Sequence, residues 1–270
     1  MASRRARGGL RSVPEGDTIA WHASRLRPVL EGRAPQTIRV HSRFARDRWD
    51  ERLVGRRVEE VRTRGKHLLV DFEGGLVLHS HLGMVGSWGV YGPGRRWGRA
   101  PSRAWLVLRV EDVDVVEFDG STLELMTDGR ARSDQRLAGL GPDVLASGDF
   151  DLARFLARLR ADDPTRPIGD ALLDQRNVAG IGNMWKAEGC WEAELDPWRP
   201  VQEVSDAEAG AVIAALRPRM LRSAAEGPRA IERFVYKTGG RPCPRCGGHI
   251  RSAGQGDENR ITYWCPECQH

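Results

Sequence analysis

Two segments, Cys243-Pro244-Arg245-Cys246 and Cys265-Pro266-Glu267-Cys268, decide how the carboxyl end of this 270-residue chain folds. Eighteen residues separate them, a spacing typical of a zinc ribbon, in which each pair supplies two thiolates to one tetrahedral ion. Because protein fills all four positions, the ion cannot activate a water, and we expect one structural Zn²⁺. The predicted ligands are Cys243, Cys246, Cys265 and Cys268. Exchange with the nearby His249 or His270 is a minor alternative.

The remaining composition excludes two classes of protein. Four of the five cysteines crowd the last 28 residues, which argues against a disulfide-stapled secreted domain. The fifth, Cys190, has no visible base partner and is predicted to be a small packed residue. The chain has no apolar run of the roughly 18 to 20 residues that a membrane span needs, and no signal peptide pattern. We therefore expect a soluble, cytoplasmic protein without a membrane partner.

The net charge of +5 is a weak indication of nucleic-acid binding. Four arginines and no acid lie in the first thirteen residues: Arg4, Arg5, Arg7 and Arg11. Without these four the net charge falls to +1, so the argument depends on local patches. One such patch surrounds a Gly/Pro-rich loop: Arg95, Arg96, Arg99 and Arg103. A solvated surface loop is the alternative for it.

The amino-terminal half changes from a helical to a β-rich pattern. Residues 1–13 have no apolar periodicity, and we expect them to be disordered. A helix is predicted from about Asp17 to Leu30. Short β-rich runs follow: Thr37–Val40, His67–Phe72, Leu76–His79, Trp105–Val110, Val113–Phe118 and Leu123–Leu125. They predict an antiparallel sandwich or barrel.

Helical spacing returns in the second half of the chain. One apolar stripe runs from Leu152 to Leu159, and another from Ala211 to Leu221 is predicted to be interrupted by Pro218. Between them lies the Gly-rich turn Ala179–Asn183. We predict four segments: an extension at 1–13, a β-rich domain at 14–130, a helical domain at 131–235 and a zinc finger at 236–270.

Motifs along the whole chain then indicate a family. Pro14-Glu15-Gly16-Asp17-Thr18-Ile19 resembles the amino terminus of the Fpg/Nei family of DNA glycosylases, in which proline directly follows the initiator methionine. Further motifs occur in family order: Arg64–Leu69, His81–Met84, Leu140–Asp143, Asp174–Asn183 and Tyr263–Gln269. The resemblance is strongest to endonuclease VIII enzymes of the actinobacterial type. It implies an α+β fold: an N-terminal antiparallel β-sandwich with a leading helix, a helix-two-turn-helix domain and a C-terminal zinc ribbon finger, with damaged double-stranded DNA in the cleft between them.

The resemblance also implies a reaction, bifunctional base excision and strand cleavage, in which Pro14 attacks C1′ of the damaged nucleotide as an amine. An α-amino group with a pKa of roughly 7.7 to 8.0 is substantially neutral near pH 7.5, whereas a lysine at about 10.4 is neutral only about one time in a thousand. Glu15 is implied to protonate the departing base or opening sugar. Without the motif, Glu15 could equally well be an acid that is favoured only by its place at the N-terminus of a helix.

Four further residues receive roles from the resemblance. Lys66 is implied to contact the phosphate near the lesion and assist elimination, and Arg260 to reach the lesion phosphates and assist the final elimination. Met84 is implied to fill the gap left by the extruded base; a core methionine is the alternative. Asn183, after the Gly-Ile-Gly turn, is implied to contact a phosphate; an ordinary helix cap is the alternative.

The peptide bond between Val13 and Pro14 conflicts with this chemistry. An amide nitrogen delocalises its lone pair and cannot form a Schiff base. Bacterial translation can begin at a GUG codon, which an upstream reading frame renders as valine. We therefore expect residues 1–13 to be a start-site artefact and Pro14 to be the mature amino terminus.

Substrate choice depends on small differences from the family pattern. The opening motif and the short stretch between Met220 and Cys243 leave little room for the base-covering loop of 8-oxoguanine enzymes, which favours oxidised pyrimidines. Gly139 stands where some endonuclease VIII enzymes carry arginine, so one phosphate contact is in doubt. The alternatives are an 8-oxoguanine/formamidopyrimidine glycosylase, or a non-catalytic zinc-finger DNA-binding protein if Pro14 stays blocked. We expect a bacterial, monomeric protein that associates with the nucleoid through DNA.

Overall fold

A computed structural model of the chain describes residues 13–270, so the disorder predicted for the first residues lies almost wholly outside the described part. The helices are α1 (Gly16–Leu30), α2 (Trp49–Leu53), α3 (Asp128–Ser133), α4 (Gln135–Ala138), α5 (Leu152–Arg160), α6 (Ile168–Ala171), α7 (Asn183–Glu192) and α8 (Asp206–Glu226). The strands are β1 (Thr37–Val40), β2 (Val58–Arg64), β3 (His67–Phe72), β4 (Leu76–His81), β5 (Ser87–Tyr91), β6 (Ala104–Val110), β7 (Val113–Phe118), β8 (Thr122–Thr127), β9 (Arg251–Gln255) and β10 (Arg260–Trp264). Short 3-10 helices cover Ser42–Asp47, Pro101–Arg103 and Val201–Glu203.

The amino-terminal half is a β-sandwich. Strands β1-β6-β7-β5 form one antiparallel sheet and β2-β3-β4-β8 form the other. Leu68 and Leu78 from one sheet share a buried core with Leu106 and Val115 from the other. Because the two sheets are separate and share one core, this half of the chain is a sandwich and not a barrel.

Helix α1 covers the same core, as the sequence predicts. Ile19, Ala23, Leu26 and Leu30 are all buried on its inner face. Burying this apolar stripe is what fixes the helix against the sandwich. The helix begins at Gly16, one residue before the predicted start.

Two strands of the sandwich, β2 and β5, lie outside the predicted runs. In β2 only Val58 and Val61 are buried, three positions apart, because the register shifts between Val58 and Glu60. Such a bulge breaks the two-residue alternation on which strand prediction depends. Strand β5 contains Gly89, a poor strand former.

The helical half is built around a second core shared by α5, α7 and α8. Helix α8 begins with a capping box, in which Ser205 Oγ accepts from Glu208 N at 3.2 Å and Glu208 Oε2 accepts from Ser205 N at 2.7 Å. The predicted interruption at Pro218 is wrong, since α8 continues through it. Pro218 has no N–H, so the carbonyl of Ala214 loses its hydrogen-bond donor in the helix. Both residues lie on the exposed side of α8. The neighbouring Leu216 is buried and keeps the helix in place.

A third core holds the carboxyl-terminal module against the helical half. Strands β9 and β10 form a hairpin in which Arg260 pairs with Gln255. Ala187 and Trp191 of α7 pack with Val235 and Ile250 in the same cluster as three of the cysteines. Among residues 13–270, no helix is both long and apolar enough to cross a membrane.

Candidate active site

The carboxyl group of Glu15 caps the start of α7. Its oxygens accept hydrogen bonds from the backbone N–H groups of Gly182 at 3.0 Å, Met184 at 2.8 Å and Trp185 at 3.2 Å. Helix N-termini leave such amides unpaired and carry a partial positive charge, so an anion is stabilised there. The amino-terminal motif and the Gly-Ile-Gly turn are thereby held together although 167 positions separate Glu15 from Gly182.

Glycine is required where these two segments meet. Gly16 N donates to Gly180 O at 2.9 Å, and a Cβ on Gly16 would lie 2.8 Å from Gly180 Cα. A Cβ on Gly182 would overlap the Glu15 carboxyl. Gly180 has a φ of +100°, which side chains rarely adopt. The Gly-rich turn therefore serves close backbone approach.

Lys66 lies in a turn that is tied to the helical half. Gly65 has a φ of +58°, and its N–H donates to Asp143 Oδ2 at 2.7 Å. The other oxygen of Asp143 accepts from Leu145 N at 2.9 Å. Sequence reasoning assigned no role to Asp143, although it stands in the Leu140–Asp143 motif. Its carboxylate fixes the turn that presents Lys66.

A groove of about 650 Å³ collects four of the six residues predicted for catalysis or DNA contact. Pro14, Lys66, Met84 and Arg260 all line it. Glu15 and Asn183 do not line it; the Glu15 carboxyl is buried at the start of α7. The arrangement places a proline, a lysine and an arginine from three parts of the chain around one space.

Met84 projects from the turn after β4 and is 74% exposed. The turn is braced from below, because Arg99 Nη1 donates to Val85 O at 2.7 Å and to Asp119 Oδ2 at 2.6 Å. An exposed apolar tip on a braced turn disagrees with the core-methionine alternative.

Burial changes the protonation of the two central groups. Loss of hydration raises the pKa of Glu15 to about 6, although Lys66 and the helix amides oppose the change. Burial lowers the pKa of Lys66, while the neighbouring Glu15 opposes this. A carboxyl with a pKa near neutrality can deliver a proton under physiological conditions.

Arg260 and Asn183 are engaged within the protein. Arg260 Nε donates to Glu258 Oε2 at 2.5 Å beside the groove. Asn183 Nδ2 donates to Ile261 O at 2.8 Å, and its Oδ1 is buried without a hydrogen-bond partner. Asn183 thus joins α7 to the hairpin, and its side chain is not directed into the groove lining.

The charged walls of the groove are mostly paired internally. Arg166 forms ion pairs with Asp162 at 2.9 Å, Asp170 at 2.6 Å and Asp174 at 3.2 Å. In the predicted basic loop, Arg99 and Arg103 both pair with Asp119. These pairs favour the surface-loop interpretation for those two arginines.

The four predicted zinc ligands converge. Their sulfur atoms all lie within 4.8 Å of one another, with Cys243 and Cys268 at 3.9 Å and Cys246 and Cys265 at 3.5 Å. A tetrahedral ion with Zn–S bonds of about 2.3 Å needs sulfur separations of about 3.8 Å, so the set fits one structural zinc. Trp191 Nε1 donates to Cys243 Sγ at 3.4 Å, as expected for a thiolate ligand. The fifth cysteine, Cys190, is fully buried, and burial raises the pKa of its thiol to about 12.

Three models of known protein families match most of the described chain. Residues 13–132 match the formamidopyrimidine-DNA glycosylase N-terminal domain, residues 140–234 match its H2TH domain, and residues 240–270 match the zinc finger found in FPG and IleRS. The order of the three matches is the order that the resemblance implies.

Individual relatives agree with the domain matches. A protein named probable endonuclease 8 2 from Streptomyces coelicolor is 43% identical over 269 residues, covering 95% of this chain and 94% of that protein. A DNA-(apurinic or apyrimidinic site) lyase Nei2 from Mycolicibacterium smegmatis is 36% identical, covering 95% and 99%. The Lactococcus lactis Fpg complex with DNA containing N7-benzyl-Fapy-dG shares the fold, with a TM-score of 0.81 at 23% identity over 95% of this chain and all of that one. The chain belongs to the Fpg/Nei family of DNA glycosylases.

Proposed function

We propose that this chain is a bifunctional DNA glycosylase and AP lyase of base excision repair acting on damaged double-stranded DNA. The observation that carries the proposal is the placement of Pro14 at the groove with Glu15, its neighbour, buried at the start of α7. Lys66 and Arg260 stand on the same groove. A nucleophile, an acid and two cations are the groups that this reaction needs.

In the first stage the amine of Pro14 attacks C1′ of the damaged nucleotide. The N–C1′ bond forms, and the bond from C1′ to the base breaks with its electron pair leaving on the base, which takes up the proton that the Pro14 nitrogen loses. Opening of the C1′–O4′ bond, with a proton from Glu15, leaves an iminium ion on Pro14. Of the described groups, Glu15 is the acid whose pKa and position suit this transfer.

In the second stage the iminium ion makes the C2′ proton acidic. Loss of that proton expels the 3′ phosphate and cuts the strand by β-elimination; a second elimination would expel the 5′ phosphate. Lys66 and Arg260 are proposed to hold these phosphates, and Met84 to fill the space left by the extruded base. Asn183 is proposed to contact a phosphate near the lesion; its side-chain nitrogen donates to Ile261 O in this structure, so the contact requires that hydrogen bond to be exchanged.

A free amine on Pro14 is a condition of this proposal. The family match begins at residue 13, and several relatives are matched over 100% of their length by 95% of this chain. Both facts support translation from a GUG codon at position 13, with Pro14 exposed after removal of the initiator. Mass spectrometry of the protein from its natural host should find Pro14 as the first residue. An untrimmed protein beginning at Ala2 would contradict this.

We propose oxidised pyrimidines as the preferred bases. The short connection between Met220 and Cys243 and the endonuclease 8 names of the relatives support this branch over the 8-oxoguanine branch. The test compares base release from a duplex that contains thymine glycol with base release from a duplex that contains 8-oxoguanine opposite cytosine. Faster base release from thymine glycol is expected, and faster release from 8-oxoguanine would contradict it.

The organisation of the molecule completes the proposal. We propose a division into a catalytic domain at 14–130, a DNA-binding domain at 131–235 and a finger at 236–270, which the separate cores of the sandwich and the helical half support. We propose that the protein acts as a monomer in the bacterial cytoplasm, at the nucleoid.

A further inference from the structure

Lys186 on α7 is fully buried at the junction with the zinc-finger hairpin. Its Nζ donates to Thr262 Oγ1 at 2.6 Å and to Gln255 Oε1 at 3.3 Å. Gln255 belongs to β9 and Thr262 to β10, so one ammonium group holds both strands. Thr262 Oγ1 also donates to Gln255 Oε1 at 2.8 Å, and Gln255 Nε2 donates to Pro197 O at 2.9 Å. The lysine therefore completes a closed polar network inside the junction.

Burying a charged group in such a network costs more free energy than filling the same space with apolar side chains. Among the described residues, the hydrogen-bond acceptors of the Lys186 ammonium are a hydroxyl and an amide, and no carboxylate forms an ion pair with it. Burial lowers the pKa of Lys186 to about 8, so the group is still mainly charged at neutral pH. A buried charge is tolerated where its directed hydrogen bonds specify a geometry that apolar contacts would leave loose.

The hydrogen bonds of Lys186 act on the hairpin that carries Arg260. Arg260 opens β10 two residues before Thr262, and the intervening Ile261 accepts the hydrogen bond from Asn183. Asn183 and Lys186 are three residues apart on α7 and so share one face of the helix. The same helix holds the Glu15 carboxyl at its first turn. Helix α7 thus contacts both the buried Glu15 carboxyl and the strand that begins at Arg260.

We propose that Lys186 is a positioning residue, which fixes the hairpin so that Arg260 meets the DNA at the groove containing Pro14. The inference rests on the proposed function, because it assigns Arg260 a part in elimination. Attack by Pro14 on C1′ uses groups of the amino-terminal segment, whereas departure of the phosphate uses Arg260. Loosening the hairpin should therefore slow strand cutting more than Schiff-base formation.

Two substitutions test the network from both sides. Lys186→Met removes the ammonium but keeps the length of the side chain, and Thr262→Val removes the acceptor but keeps the shape. Thr262→Ser keeps the hydroxyl and is the matched control. Each is made in the zinc-loaded protein beginning at Pro14, and zinc content and melting temperature are measured first. At saturating protein, single-turnover rates are then compared for borohydride trapping on abasic DNA and for strand cutting.

In Lys186→Met and Thr262→Val we expect strand cutting to fall by about tenfold or more while trapping stays within about twofold, because a small displacement of a catalytic group has effects of this order. Thr262→Ser should behave as the parent, and the double variant Lys186→Met/Thr262→Val should lose no more cutting than either single change. Equal loss of trapping and cutting, or cutting at the parental rate, would overturn the proposal. Failure of the parent protein to cut would instead count against the proposed function, so the two failures are distinguishable.

Discussion

The Glu15 carboxyl is subject to two opposed effects. Three backbone N–H groups at the start of α7 favour its anion, whereas complete burial favours its neutral form. Burial is the larger effect, and the pKa rises to about 6. Glu15 can therefore be held in place as a helix cap and still supply a proton.

The pH dependence of base excision should follow from this value. The rate depends on the product of free Pro14 amine and protonated Glu15. It should rise to about pH 6, stay level up to the pKa of the amine, roughly 7.7 to 8.0 for an α-amino group, and fall above it. In Glu15→Gln the trapping rate on abasic DNA should keep rising until the amine pKa. A variant whose rate still levels off at about pH 6 and falls above the amine pKa would rule out Glu15 as the acid.

A second prediction for a single residue concerns how the buried carboxyl of Glu117 makes stability depend on pH. It is fully buried in β7, and burial raises its pKa to about 8, with Asp119 contributing. The folded state therefore binds the proton more tightly than the unfolded chain, whose ordinary value is 4.5. Stability from this group is complete below the unfolded pKa and is lost as the pH rises through about 8.

Urea unfolding of the parent and of Glu117→Gln at several pH values tests whether this stability is lost as the pH rises. The free energy of unfolding of the parent should decrease relative to that of the variant between acidic pH and about pH 8. A constant difference between the two proteins would show that Glu117 keeps its ordinary pKa.

At this scale the sequence predicts which residues belong to the site better than how they are held. The motifs identify Pro14, Lys66 and Arg260, which do share a groove. They give no indication that Asp143 fixes the Lys66 turn or that Glu258 pairs with Arg260. The first contact joins positions 78 apart in the chain, and the second depends on how two side chains are oriented at the start of β10, so no local periodicity records either.

Helix α7 is the element on which the site depends. Gly182, which precedes it, has a φ of −123°, a conformation open to any residue. The requirement for glycine is therefore purely one of space, since a Cβ would overlap the Glu15 carboxyl. Displacing that carboxyl should uncap the helix and misplace the acid together.

Gly182→Ala should accordingly reduce base release by about 100-fold or more, because a misplaced catalytic group has effects of that order. Gly92→Ala is the matched control, since a Cβ there meets no atom within 4 Å. Base release from a damaged duplex and melting temperatures are measured for both variants. Similar base release from both variants would contradict the assigned contact.

Element prediction succeeded where packing follows local periodicity. The inner stripe of α1 from Ile19 to Leu30 is buried as expected. It failed at β2, where a bulge breaks the alternation, and at Pro218, where exposure of the freed carbonyl lets α8 continue. Both failures come from tertiary context overriding a local rule.

On the scale of the molecule, the zinc finger completes the site from the opposite end of the chain. Its core includes Ala187 and Trp191 of α7, and its hairpin carries Arg260. Metal binding and folding are coupled in such small modules. Loss of zinc should therefore disorder the hairpin while the sandwich, which has its own core, stays folded.

Cys268→Ser is expected to lose zinc and DNA strand cutting and to keep the β-sheet signal in circular dichroism. Cys190→Ala is the matched control, since its thiol lies outside the four-sulfur cluster, and it should retain one zinc per chain. Full cutting by zinc-free Cys268→Ser would show that the metal is dispensable.

The most direct test of the account compares two versions of the protein on abasic DNA in the presence of borohydride. One version begins at Pro14, and the other retains Val13 joined to it. A covalent protein–DNA complex should form with the first and be absent with the second, because only the first has a free amine at Pro14. Equal trapping by both, or by neither, would contradict the central claim that the nitrogen of Pro14 is the nucleophile.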